Sequence, residues 1–247
     1  TISALFKRAS LWFERQGSIE EAVSYALAAG DFSRAATFLE SLSLQMFQKN
    51  MLHTLIGWLK MLPDEVLDSN PSLRLYYAMA LTATWQAGKA EAYLRKIEHS
   101  LSVTAEDLTD EEMRALTPEA RSLYANATVM RCLLSMKTMD TSRAIRIAEH
   151  TLAHMNRADI LDSEDDRIRA YTYSMMGVGL AHEYGGNPVP AKECYENVIA
   201  AVNRSGQRWV FITQWAWSHL GYMEAVQNRL RQAYTTYRQE IDWSLEL

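Results

Sequence analysis

The sequence predicts an all-α fold built from consecutive helix hairpins, and three observations carry that expectation. Breakers are scarce, with only 10 Gly and 5 Pro in 247 residues, too few for a turn-rich β protein. Between the breakers, Ala, Leu, Met, Glu, Gln and Arg place apolar residues at helical spacing rather than in alternation. Helices of similar length then follow one another in pairs, with small residues recurring where two helices would cross.

Residues 3–16 put Leu5, Ala9, Trp12 and Phe13 on one face, and Gly17 ends that helix. Ser18, with Glu21 three residues on, has the spacing of a capping box for the next helix. That helix carries Ile19, Ala22, Val23, Ala26 and Leu27 and stops at Gly30. Asp31 is placed to cap a third helix bearing Phe32, Ala35, Ala36 and Leu39. Two short helices with Leu52, Leu55, Ile56 and Leu59 are expected before Pro63, and 63–71 reads as a short helix or turn between two prolines. Helices at about 72–86 and 89–101 follow, and then an acidic, Thr-rich connection over 102–118, with Pro118 opening the next helix. Pairs are expected at about 119–138 with 141–155, 165–185 with 189–204, and 207–227 with 229–246. Residues 162–166 read as a solvated acidic loop or cap.

The last pair reads Trp217-x2-Leu220-Gly221-x2-Glu224, then Ala233-x3-Tyr237. Five of these six positions agree with, or conservatively replace, the tetratricopeptide (TPR) pattern W-x2-L-G-x2-Y followed by A-x3-F, Glu224 being the exception. The preceding pair gives a weaker match, Tyr173-x2-Met176-Gly177-x2-Leu180 with Ala191-x3-Tyr195, and Ala90 and Ala144 sit in two further second helices. These alanines are 54, 47 and 42 residues apart, against 34 in a regular repeat. The expected architecture is therefore a TPR-like helical-hairpin superhelix, an α-α solenoid of long, divergent repeats. Residues 1–70 form its N-terminal helical segment and 71–247 its repeats.

The N-terminal third adds a resemblance. Leu5-x2-Arg8-Ala9-Ser10-x-Trp12-Phe13-Glu14-x2-Gly17-x-Ile19-Glu20-Glu21-Ala22-Val23-x2-Ala26-Leu27-Ala28-Ala29-Gly30-Asp31-Phe32, and then Trp58-Leu59-x2-Leu62-Pro63-Asp64-Glu65-Val66-Leu67 with Pro71-x-Leu73, resemble the MalT-like branch of large LuxR-type transcriptional regulators. The resemblance implies an inducer-sensing superhelix placed between an upstream P-loop ATPase, where ATP would bind, and a downstream LuxR-type DNA-binding domain. It implies a small-molecule inducer, an oligosaccharide among the first to test, or an inhibitory protein as partner, and it allows self-association. None of the matched positions is a catalytic one. The chain opens at Thr1 without Met, as expected of a piece of something longer.

Other chemistry is missing from the residues themselves. There is no G-x4-G-K-[ST], so no cofactor is expected within this stretch. Gly177-Val178-Gly179 meets His182 where a dinucleotide loop needs a third glycine, and His182-Glu183 lacks the second histidine of H-E-x-x-H. His150 and His154, four apart, could share a metal, but no third ligand is evident and a solvated helix face is the expectation. Net charge −5 gives no basic field for duplex DNA. No apolar run approaches the roughly 20 residues that span a bilayer. Cys132 and Cys194 read as small buried hydrophobes in a reducing compartment, so a cytoplasmic binding module rather than an enzyme is expected.

In such arrays the first helix of each pair lines the concave face. With Trp217, Leu220 and Gly221 at packing positions, Trp215, Ser218 and Tyr222 share another face. The equivalent set one pair earlier is Tyr171, Ser174, Val178 and Ala181, and before that Asn126, Val129 and Leu133. Trp215, Ser218, Tyr222, Tyr171, Ser174 and Asn126 are the expected ligand-binding residues, aromatic surface beside small polar groups suiting a sugar ring, an apolar metabolite or a peptide. The alternative is a free-standing TPR adaptor that binds peptides or proteins.

Overall fold

The computed structural model describes residues 1–103, 108–155, 157–206 and 209–245, and the side chain of Gln48 is left out of the description. Among the described residues the fold is all-α, with no strand. The chain divides into two compact units, Thr1–Tyr93 and Leu94–Leu247, where the sequence divides it at 70/71 by kind of repeat.

The first unit holds α1 (Ile2–Arg15), α2 (Ile19–Ala29), α3 (Phe32–Gln48), α4 (Leu52–Met61), α5 (Asp64–Asp68), α6 (Pro71–Ala83) and the start of α7 (Ala87–Leu101). α1 and α2 approach closely because Ser10, wholly buried, donates to the Ala22 carbonyl at 2.8 Å. Gly30 ends α2 in the left-handed region (φ +71°) and returns its N–H to Leu27, the αL termination that glycine adopts without strain. A single helix, α4, occupies the stretch expected to hold two, and it stacks Leu52, Leu55 and Leu59 into the core.

The second unit holds the rest of α7, then α8 (Asp110–Ala115), α9 (Pro118–Lys137), α10 (Thr141–His150), a π-helical turn (Thr151–Met155), α11 (Glu164–Tyr184), α12 (Pro188–Ser205), α13 (Val210–Val226) and α14 (Leu230–Leu245). Three hairpins follow one another here: α9 with α10, α11 with α12, and α13 with α14. α9 is buried all round from Tyr124 to Met136, and so forms the core of this unit. Its Arg131 is paired with Glu98 of α7 through Nε at 2.8 Å and through NH2. A deeply buried guanidinium needs such a partner.

Three further local expectations need correction. The connection over 102–118 contains a helix, α8, opened by a full capping box in which Thr109 and Glu112 satisfy each other's backbone N–H; its residues 104–107 lie outside the described set. The expected box at Ser18 does not form, nor does the Asp31 cap. Thr109, Thr117 and Ser163 cap from extended conformations with ψ of 162°, 157° and 126°, whereas Ser18 and Asp31 sit at ψ 74° and 67° after left-handed glycine turns. That backbone alone does not forbid a cap, since Asp140 at ψ 69° accepts from Arg143 N–H; the Asp31 carboxylate instead pairs with Lys7 at 3.0 Å. Residues 162–166 are part cap and part network: Ser163 caps α11, and Asp166 accepts from Asn126 at 3.1 Å.

Candidate functional site

Three glycines set how the hairpins meet. A Cβ on Gly179 would lie 2.6 Å from the Tyr195 ring, one on Gly221 would lie 2.6 Å from the Tyr237 ring, and one on Gly177 would lie 2.5 Å from Cys132 Sγ. Gly179 and Gly221 each face an aromatic 16 residues later within their own hairpin, while Gly177 faces the neighbouring hairpin. The structural equivalent of Gly221 is therefore Gly179, 42 residues earlier, the same offset that separates Ala191 from Ala233. The motif alignment through Gly177 is two residues out of register. Two residues on a helix turn a side chain by about 200°, so faces matched through Gly177 are not the same face.

The expected binding set is dispersed in either register, because α9 and α11 are buried on most sides: Tyr173, Met176 and Leu180, the equivalents of Trp215, Ser218 and Tyr222, are at most 2% exposed. Ser174 is 0% exposed and Asn126 3% exposed. Asn126 is a core polar residue, accepting from Arg169 NH1 at 2.6 Å and donating to Asp166, while Arg169 lies over the Trp209 ring at 4.9 Å. Neither Ser174 nor Asn126 faces an open surface. Tyr171 lines a cleft of about 380 Å³ with Arg167, Ile168, Arg204 and Ser205, between the start of α11 and the end of α12. Ser218 donates to Glu240 of α14 at 3.0 Å, and Tyr222 is 51% exposed.

Trp215 is where the structure gathers chemistry. Along α13, Phe211 and His219 flank it, with ring centroids at 5.7 and 6.0 Å. From the end of α9, Lys137 Nζ sits over the Trp215 ring, 5.9 Å from its centroid. His219 Nδ1 is 2.9 Å from Glu183 Oε2 on α11, and the same oxygen accepts from the Tyr195 hydroxyl of α12 at 2.6 Å. Four helices from three successive hairpins thus meet within a few side chains. Glu183 is only 7% exposed in its side chain, and two donors on one oxygen compensate the lost hydration of its carboxylate.

The environment tunes these groups. Burial, and then donation to Glu183, pushes the Tyr195 phenol well above its ordinary value, so it stays a donor at any physiological pH. Burial brings the Lys137 ammonium down to about 8. Ionisable groups perturbed by burial and brought together from several elements are a recurring mark of functional sites.

Sequence reasoning took Tyr195 for packing, weighed Glu183 only as part of a failed zinc motif, and passed over Lys137 and His219. No spacing within one helix joins residues contributed by four. The cysteines are buried thiols raised to about 12 (Cys132) and about 11 (Cys194), a state that leaves them unreactive near neutrality. His150 and His154 lie with ring centroids 4.8 Å apart, and His154 Nδ1 is 2.9 Å from Asp110. Among the described residues no group of three or more His, Cys, Asp or Glu is placed to hold a metal ion, and no helix is long and apolar enough to cross a membrane.

No family model matches the chain. It is similar to part of the serine/threonine-protein kinase PknK of Mycobacterium tuberculosis, 30% identical over 162 residues, which is 65% of this chain and 13% of that protein. It is also similar to part of the HTH-type transcriptional regulator AlkS of Pseudomonas putida, 33% identical over 96 residues, 38% of this chain and 11% of that protein. A second AlkS, from Ectopseudomonas oleovorans, is 29% identical over 96 residues. These matches span only about an eighth or less of the length of each relative, and what they establish is likeness to segments of larger regulatory proteins.

Proposed function

We propose that this chain is the effector-sensing, TPR-like segment of a larger LuxR-type transcriptional regulator of the MalT-like kind. It takes a small inducer or an inhibitory protein on the face around Trp215 and is not itself an enzyme. ATP would be bound by a domain upstream and DNA by one downstream. The likeness to segments of a protein named a kinase and of one named a transcriptional regulator supports this: a part common to proteins with different outputs fits control better than either output.

The observation that carries the sensing role is the convergence at Glu183. A ligand seated against Trp215 and Lys137 touches α13 and α9 directly and reaches α11 and α12 through His219, Glu183 and Tyr195. Ligands shift conformational equilibria only by binding one arrangement better than another, and a site shared among three hairpins offers such differential contact. An exposed row on α14, Leu230, Tyr234, Tyr237, Ile241 and Leu245, favours a protein partner as a second mode. The test is to read the uncut gene. Flanking ATPase and LuxR-type DNA-binding domains are expected. An isolated reading frame would overturn the regulator in favour of a free-standing adaptor.

A further inference from the structure

The geometry points to a planar organic anion, a flat apolar ring system carrying a carboxylate on a short linker, as the ligand class of the Trp215 face. The inference rests on the sensing role proposed above and names its chemistry. Trp215 and Phe211 are both partly exposed and supply ring surface, while Lys137 places a cation within 5.9 Å of the Trp215 centroid. A ligand that stacks on the rings and draws the ammonium onto its own carboxylate uses both features at once.

The neighbouring acid is engaged inside the protein: Glu183 Oε2 accepts from the Tyr195 hydroxyl and lies 2.9 Å from His219 Nδ1, and its side chain is only 7% exposed. A neutral sugar fits less well. The hydroxyls that would hold it are spent or hidden, Ser218 on Glu240 and Ser174 within the core.

The experiment is calorimetric titration of the chain with indole-3-acetate, with uncharged indole-3-acetamide, and with maltotriose as the sugar arm. Indole-3-acetate is expected to bind saturably and at least about ten-fold more tightly than the amide, the size of one charge-assisted contact. Lys137→Gln should remove that preference, bringing acid and amide to similar affinity, and Trp215→Ala should weaken both, with circular dichroism confirming that each variant stays folded. Equal affinity for acid and amide, an undiminished preference in Lys137→Gln, or no binding of either indole would overturn the proposed class. Saturable maltotriose binding that is lost in Trp215→Ala, alongside failure of the indoles, would overturn the anion and leave the sensing role standing.

Discussion

Gly177, Gly179 and Gly221 look alike in the sequence and do different work. Gly179 and Gly221 admit a tyrosine ring from their own second helix, whereas Gly177 admits Cys132 from the hairpin before. Alanine is the better helix former by about 1 kcal/mol, so Gly179→Ala would stabilise an exposed helix. Against the Tyr195 ring it should cost about 1–3 kcal/mol, a melting temperature several degrees lower, because ring and backbone must separate. It should also loosen the Tyr195–Glu183 bond. An unchanged or higher melting temperature would mean that this close approach is not what holds the hairpin.

Lys137 gives a second test at the same scale. Burial lowers its folded pKa to about 8 against about 10.4 in an unfolded chain. Between those values the unfolded state binds more protons, so the contribution of this residue to stability rises with pH from about 8 upward. Below 8 both states are charged and the full burial cost remains. Lys137→Met should therefore melt higher than wild type at pH 7, with the difference shrinking towards pH 9.5. Tyr195 works the other way, holding its proton in the fold and losing stability only above about pH 10, outside that window. A difference between the two proteins that is flat with pH would contradict the burial of this amine.

At the scale of elements, most helices were legible because Gly, Pro and apolar periodicity mark them. The caps were not, since residue type alone does not reveal where the side chain turns: Asp140 caps α10 and Asp31, with nearly the same backbone, pairs with Lys7. Thr109 and Ser18 have the same capping-box spacing, yet the Thr109 side chain accepts from the Glu112 N–H and the Ser18 side chain makes no cap bond. Thr109→Ala should cost about 1 kcal/mol and Ser18→Ala a few tenths at most, measured by denaturant midpoint. Equal losses would put the Ser18 hydroxyl back at the start of α2. α8 was missed because six residues are too few for apolar periodicity to emerge from an acidic stretch.

At the scale of the molecule, the all-α hairpin architecture follows from the pattern, and the binding face follows only in part. Trp215 was legible as an aromatic off the packing face. Its partners Lys137, Glu183 and Tyr195 come from other helices, and Ser174 and Asn126 entered the expected set because the pattern does not reveal that α9 and α11 are buried on most sides. Trp217, the natural packed control, is itself only half-buried; Leu220, 5% exposed on the same helix, is the sounder one. The central claim is that Trp215 is kept for ligand rather than for folding. The measurement is the thermal melt of Trp215→Ala beside wild type and Leu220→Ala, each with and without the indole-3-acetate and maltotriose probes. Leu220→Ala should lose about 2–5 kcal/mol, as a buried leucine does. Trp215→Ala should melt close to wild type and lose the ligand-induced rise that wild type shows. If Trp215→Ala melts as low as Leu220→Ala, Trp215 belongs to the core and the sensing face lies elsewhere.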